Sequence, residues 1–68
     1  MRDVAIREDE IRLGQFLKLA GLAGSGAEAK LLLQDGGVTV NGEPEERRGR
    51  RLHRGDVVVL GDDAARVA

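Results

Sequence analysis

The apolar residues of this chain change period once, and the change falls at Gly36-Gly37. Before it, Leu13, Phe16, Leu17 and Ala20 fall at i, i+3, i+4 and i+7, the spacing of one helix face. After it, Val38-Thr39-Val40 alternates and Val57-Val58-Val59-Leu60 forms a continuous, mostly β-branched run, the pattern of strands. A helical half followed by an extended half within 68 residues leaves room for a single domain, residues 1–68. The fold class expected is α+β, a two-helix hairpin packed on a small antiparallel β-sheet.

Local signals divide the two halves further. The first helix is expected from Glu10, with Asp9 as its cap, and Gly21 ends it in the usual place. Arg12 and Lys18 fall off its apolar stripe and face solvent. Ser25 followed by Glu28 reads as a capping box that opens a second helix over about 26–35. Ala29, Leu32 and Leu33 form its core face, and Gly36-Gly37 closes it. Asn41-Gly42 is a tight-turn dipeptide. Residues 45–52 read as an extended stretch with a bulge at Gly49, and Arg54-Gly55-Asp56 as a turn. Residues 57–60 form the next strand, and 64–68 a last short one. Residues 3–7 alternate loosely and suggest a short strand or an ordered arm.

Composition narrows function. There is no Cys and one His, His53, so disulfides, a thiol nucleophile and a structural zinc site are excluded. One Ser, one Thr, no Tyr and no Trp leave little from which to build an active site. His53 has no partner nucleophile or acid in view and reads as a surface residue. Ser25 reads as a helix cap and Phe16, the one aromatic residue, as core. The inventory favours a binding module over an enzyme, with no cofactor and no metal. No apolar run is long enough to span a membrane, and the N-terminus lacks a signal-type apolar segment. A cytoplasmic monomer with no membrane partner is expected.

Net charge is −1 and predicts no partner, but the distribution is uneven. Arg47, Arg48, Arg50, Arg51 and Arg54 fall within eight residues that contain no acid. On an extended strand Arg48 and Arg50 share one face, and Arg47 and Arg51 the other. Two readings of this strip stand. One is a solvated edge strand neutralised by Glu43, Glu45 and Glu46 across a hairpin. The other is a phosphate-binding strip, since guanidinium forks match phosphate oxygens. Arg12, Lys18 and Lys30 are ordinary helix-surface charges unless the two helices turn one face toward the strip. Gly24-Ser25-Gly26 offers exposed amides at a helix start, a secondary anion site. With Phe16 buried there is no aromatic platform for stacking bases, so a nucleic-acid partner is read by backbone and shape.

The residues also carry a resemblance. Arg12-Leu13, Phe16-Leu17-Lys18, Gly21-Leu22-Ala23, Ser25, Glu28-Ala29-Lys30, Gly37-Val38, Val40-Asn41-Gly42, Arg51 and Gly55-Asp56-Val57 together resemble the S4-type RNA-binding domain. This is the alpha-L motif shared by a small-subunit ribosomal protein, pseudouridine synthases, bacterial tyrosyl-tRNA synthetases and a ribosome-associated heat-shock protein. The resemblance covers about residues 11–60. The string Gln15 to Gly21, with Gly42-Glu43 and Arg47-Arg48-Gly49-Arg50, is similar to the small stand-alone bacterial members. It implies two helices packed on a small antiparallel sheet, and RNA gripped by the helix pair and adjoining basic residues. By position it implicates Arg12, Lys18, Ser25, Lys30, Asn41, Arg50 and Arg51, and Arg47 and Arg48 join them on charge. Where the family commonly has basic residues on both sides of the serine, this chain has Gly24 and Gly26.

The partner implied is structured RNA, ribosomal RNA or tRNA, with the ribosome as the setting by family analogy. The alternative is a protein–protein module whose basic strip meets an acidic surface. An RNA-modifying enzyme is poorly supported, since the chain has no catalytic domain. If the acidic N-terminal arm folds over the basic strip, deleting residues 1–8 is expected to raise RNA affinity.

Overall fold

The computed structural model describes Met1–Ala68. In chain order the elements are β1 (Arg2–Val4), β2 (Glu10–Arg12), α1 (Leu13–Leu19), α2 (Gly26–Gln34), β3 (Val38–Val40), β4 (Glu43–Pro44), β5 (Arg51–His53), β6 (Val57–Leu60) and β7 (Asp63–Val67). Five strands form one sheet in the order β1-β7-β6-β3-β4, and β2 and β5 form a separate two-stranded ladder. The α+β class and the helix hairpin are as the sequence indicates. The sheet is mostly antiparallel. Its exception is β1, which pairs in parallel with β7 so that Arg2 lies opposite Ala65 and Val4 opposite Val67.

The first helix starts three residues later than its periodicity suggests. Glu10, Ile11 and Arg12 pair with His53, Leu52 and Arg51, so their backbone groups are committed to a ladder. The chain passes from β2 directly into α1. The amides of Leu13 and Gly14 then donate to the carbonyls of Arg50 and Arg48, at 2.8 and 3.0 Å. Two of the donors orphaned at a helix start are thus satisfied by a distant loop. Asp9 is not the cap; it lies 3.7 Å from Arg54. At the other end Gly21 adopts φ +74°, which lets the chain reverse and bury Leu22 and Ala23.

The second helix follows the sequence closely. Ser25 is extended, and its Oγ accepts from the Glu28 amide at 3.1 Å. Asn41 and Gly42 both have positive φ, 52° and 84°, the primed turn that matches strand twist. Through it Val40 meets Glu43 across β3 and β4. Asn41 also braces the neighbouring turn. Its Nδ2 donates to Asp56 Oδ1 at 3.1 Å, and its Oδ1 accepts from the Val57 amide at 2.9 Å.

The expected extended stretch over 45–52 is a strand only at Arg51–His53. Glu45 has Oε2 within 3.0 Å of the Glu46 amide and 3.1 Å of the Arg47 amide, which removes both donors from any ladder. A turn closes from the Arg50 amide to the Arg47 carbonyl at 3.3 Å. The region is therefore a loop rather than a bulged strand. The assignment of Arg48 and Arg50 to one face and Arg47 and Arg51 to the other does not hold.

One apolar cluster sits between the helices and the sheet. Phe16, Leu13, Leu17, Leu33, Leu52, Val38, Val40, Val58 and Val67 are all essentially inaccessible within it. Leu52 brings β5, and with it the basic loop, onto the same core as α1. No helix is long and apolar enough to cross a membrane.

Candidate nucleic-acid interface

The five arginines of the basic strip divide according to what each touches. Arg47 and Arg50 turn onto Glu45, with Arg47 Nη2 and Arg50 Nη1 at 3.1 and 3.2 Å from its Oε1. Arg51 lies 3.6 Å from Glu10. Arg54 meets Asp9 and donates to the Ile6 carbonyl at 3.0 Å. Arg48 alone has no carboxylate within ion-pair distance. The pairs at 3.6 and 3.7 Å are exposed and long, so they contribute little; Arg51 is left available to a competing anion, while Arg54 stays tethered to the Ile6 carbonyl.

Arg48 faces a cleft of about 340 Å³ between α1, the 47–50 loop and the start of α2. Arg12 and Lys18 line it with Arg48, and Gly14, Gly26 and Gly49 lie in its wall. None of the three cations has an acidic partner. Each comes from a different place in the chain. Arg12 precedes α1 and reaches across to the Gly49 carbonyl, Nη1 at 3.4 Å. Lys18 lies one helical turn and more along α1, and Arg48 is carried in by the loop. The loop is seated on α1 through the backbone, with the Gly14 amide donating to the Arg48 carbonyl at 3.0 Å. Gly26 is the first residue of α2, so the helix start opens into the same cleft.

The candidate residues named from sequence thus separate. Arg12, Lys18 and Arg48 converge. Ser25 lies next to Gly26 but spends its hydroxyl on the α2 cap. Lys30 is exposed on α2, without an ion pair and outside the cleft. Arg47 and Arg50 are held by Glu45, and Arg51 faces a different hollow, beside Glu10. Asn41 uses both ends of its amide to join two turns. The sequence reading did not pick out Gly14 or Glu45. Gly14 acts through its backbone amide, for which side-chain identity gives no signal. Glu45 stood among three candidate acids with nothing to single it out.

The N-terminal arm does not lie loose over the basic loop. Asp3 forms a bidentate pair with Arg66 on β7, at 2.9 and 3.1 Å, which holds the Asp3 carboxyl below its ordinary value. Ile6 is part of the core. Deleting residues 1–8 would remove an edge strand and a core side chain, so its effect on affinity would not report on charge.

Glu45 is the one buried charged residue. The Arg47 guanidinium, then the Arg47 amide, and then Arg50 hold its carboxyl down at about 2, against the opposing effect of burial. A carboxyl lowered on folding stabilises the fold fully above its ordinary value of 4.5, and that stabilisation disappears as pH falls through about 2. The thermal midpoint, followed by circular dichroism, is therefore expected to drop between pH 5 and pH 2. In Glu45→Gln the drop should be visibly shallower. Equal slopes would contradict the assignment.

Comparison with known proteins agrees with this architecture. The family model described as S4 domain matches residues 4–68. A Bacillus subtilis relative, "Probable ribosome maturation protein RlbA", is 53% identical over 57 residues, covering 84% of this chain and 80% of that protein. The tyrosine–tRNA ligase of Aromatoleum aromaticum is 38% identical over 58 residues, but the match spans only 14% of the ligase. The 30S ribosomal protein S4e of Thermoplasma acidophilum superimposes with a TM-score of 0.66 over 88% of this chain and 32% of its own. At 20% identity that likeness is one of fold. The chain belongs to the S4 domain family.

Proposed function

We propose that this protein is a non-enzymatic module that binds structured RNA, ribosomal RNA or tRNA, through its phosphates. The observation that carries the reading is the cleft, where Arg12, Lys18 and Arg48 converge without a carboxylate among them. Three unneutralised cations beside an open helix start suit a phosphate group. Family membership and the similarity to a ribosome maturation protein support a ribosome-associated, cytoplasmic role. Contacts of this kind fix position and orientation and carry little sequence information. Specificity then comes from the shape of a folded RNA. Arg51, beside a loosely held acid, extends the basic surface, with Lys30 on the second helix.

The test is fluorescence anisotropy of a labelled ribosomal or tRNA hairpin, titrated with protein at several salt concentrations. Engagement of three phosphates predicts a slope of log affinity against log salt of roughly −2 to −3. No binding at low salt would overturn the reading and favour an acidic protein partner.

A further inference from the structure

The 45–50 loop fixes Arg48 by means that do not touch it. At its centre is the buried Glu45 carboxylate. Its Oε2 accepts from the Glu46 amide at 3.0 Å, the Arg47 amide at 3.1 Å and Arg47 Nε at 3.1 Å. Its Oε1 accepts from Arg47 Nη2 at 3.1 Å and Arg50 Nη1 at 3.2 Å. The loop is wrapped around a single anion, and the arginines on either side of the Arg48-Gly49 pair bond to it, Arg50 partly buried and Arg47 lying over it at the surface. Arg48 is left facing the cleft, with its carbonyl fixed by the Gly14 amide at 3.0 Å.

We propose that Glu45 is a positioning residue for RNA: an acid inside a basic loop that raises phosphate affinity by holding Arg48 at the cleft. The inference rests on the phosphate-binding reading above and assigns the ordering of its loop to one side chain. Charge counting alone gives the opposite sign. A carboxylate that occupies two arginines repels phosphate and subtracts cations, so its removal should tighten binding. On the positioning account, removal frees Arg47 and Arg50 but lets the loop and Arg48 wander. The ordering that the carboxylate supplied in advance must then be met on binding.

The sign decides between them. With the full chain and the same RNA hairpin, affinities are compared for the wild type, Glu45→Gln, Arg48→Ala and the double variant. Glu45→Gln is expected to weaken binding by roughly 3–10-fold, the scale of one charge-assisted contact, although it removes a negative charge. Its salt slope should become shallower. In the Arg48→Ala background the same change should alter affinity by less than about 2-fold, because coupled residues are not additive. A purely structural role would lower the thermal midpoint without this coupling to Arg48. Tighter binding with a steeper slope, or two effects that simply add, would overturn the proposal. Glu45→Asp gives a second route if the glutamine variant unfolds. Charge is unchanged but the carboxylate no longer reaches both arginines, so weaker binding supports positioning and unchanged binding refutes it. Absence of RNA binding by the wild type would instead sink the phosphate reading itself, and this inference with it.

Discussion

Replacing Arg12, Lys18 and Arg48 together by alanine is expected to weaken binding to a structured RNA hairpin by on the order of 100–1000-fold at low salt. Each side chain offers one charge-assisted contact, and each phosphate neutralised contributes about 0.7–0.9 to the salt slope. The triple variant should therefore be weak and nearly insensitive to salt. Its fold should survive. All three side chains are exposed and none has a carboxylate partner. Only the 3.4 Å contact from Arg12 to the Gly49 carbonyl is lost, so the thermal midpoint should move by only a few degrees. The informative control removes the same charge from Arg2, Arg7 and Arg66, which lie outside the cleft and off the proposed basic surface. That variant is expected to lose less than about tenfold. Equal losses from the two triples would mean that net charge, and no particular site, binds RNA.

The second large effect is structural. Phe16 is completely inaccessible at the centre of the cluster, and the chain has no other aromatic residue to fill the space. Phe16→Ala is expected to cost about 3–5 kcal/mol. At roughly 0.05–0.15 kcal/mol per residue, a chain of 68 residues has about 3–10 kcal/mol in all. Circular dichroism should show the thermal midpoint lowered by roughly 15–30 °C, or no cooperative transition at all, and RNA binding should fail with it. Phe16→Leu, which keeps most of the volume, should retain both. A stable, cooperative alanine variant would mean that the core closes around the cavity.

Particular residues mark where sequence reasoning succeeded and where it ran out. Phe16, Ser25 and Asn41-Gly42 were legible because each acts within a few residues of itself: a helix face, a cap, a turn. Gly21 and Gly36 marked the helix ends for the same reason. Glu10 to Arg12 misled because Ile11 suits a helix or a strand equally. What decides is its partner Leu52, some forty residues further on. The basic strip misled in a related way. Alternating faces presuppose a strand, and the Glu45 carboxylate had already taken the amides a strand would use. The cleft was half legible. The cationic residues were all named, but their sorting into convergent, clamped and loosely paired groups follows from α1 being seated on the carbonyls of the 47–50 loop. No local pattern encodes that contact.

The pairing of β1 with β7 has a consequence for how the molecule comes apart. The Ala68 amide donates to the Val4 carbonyl at 2.9 Å and the Ile6 amide to the Ala68 carbonyl at 3.1 Å, so the two ends of the chain are knotted together along one sheet edge. Joining them encloses almost the whole polypeptide in one loop, the costliest closure in entropy available to this chain. The other ladders close shorter loops: β2–β5 and β3–β6 join strands that are not consecutive in the chain, and β3–β4 and β6–β7 join consecutive ones. The seam is held against that cost by the Asp3–Arg66 pair and by Ile6 and Val67 in the core. Local opening there exposes the edge of β7, while the hairpin of helices that carries Lys18 and Gly26 keeps its own shorter-range contacts. The seam is in this way separated from the cleft where Arg12, Lys18 and Arg48 converge.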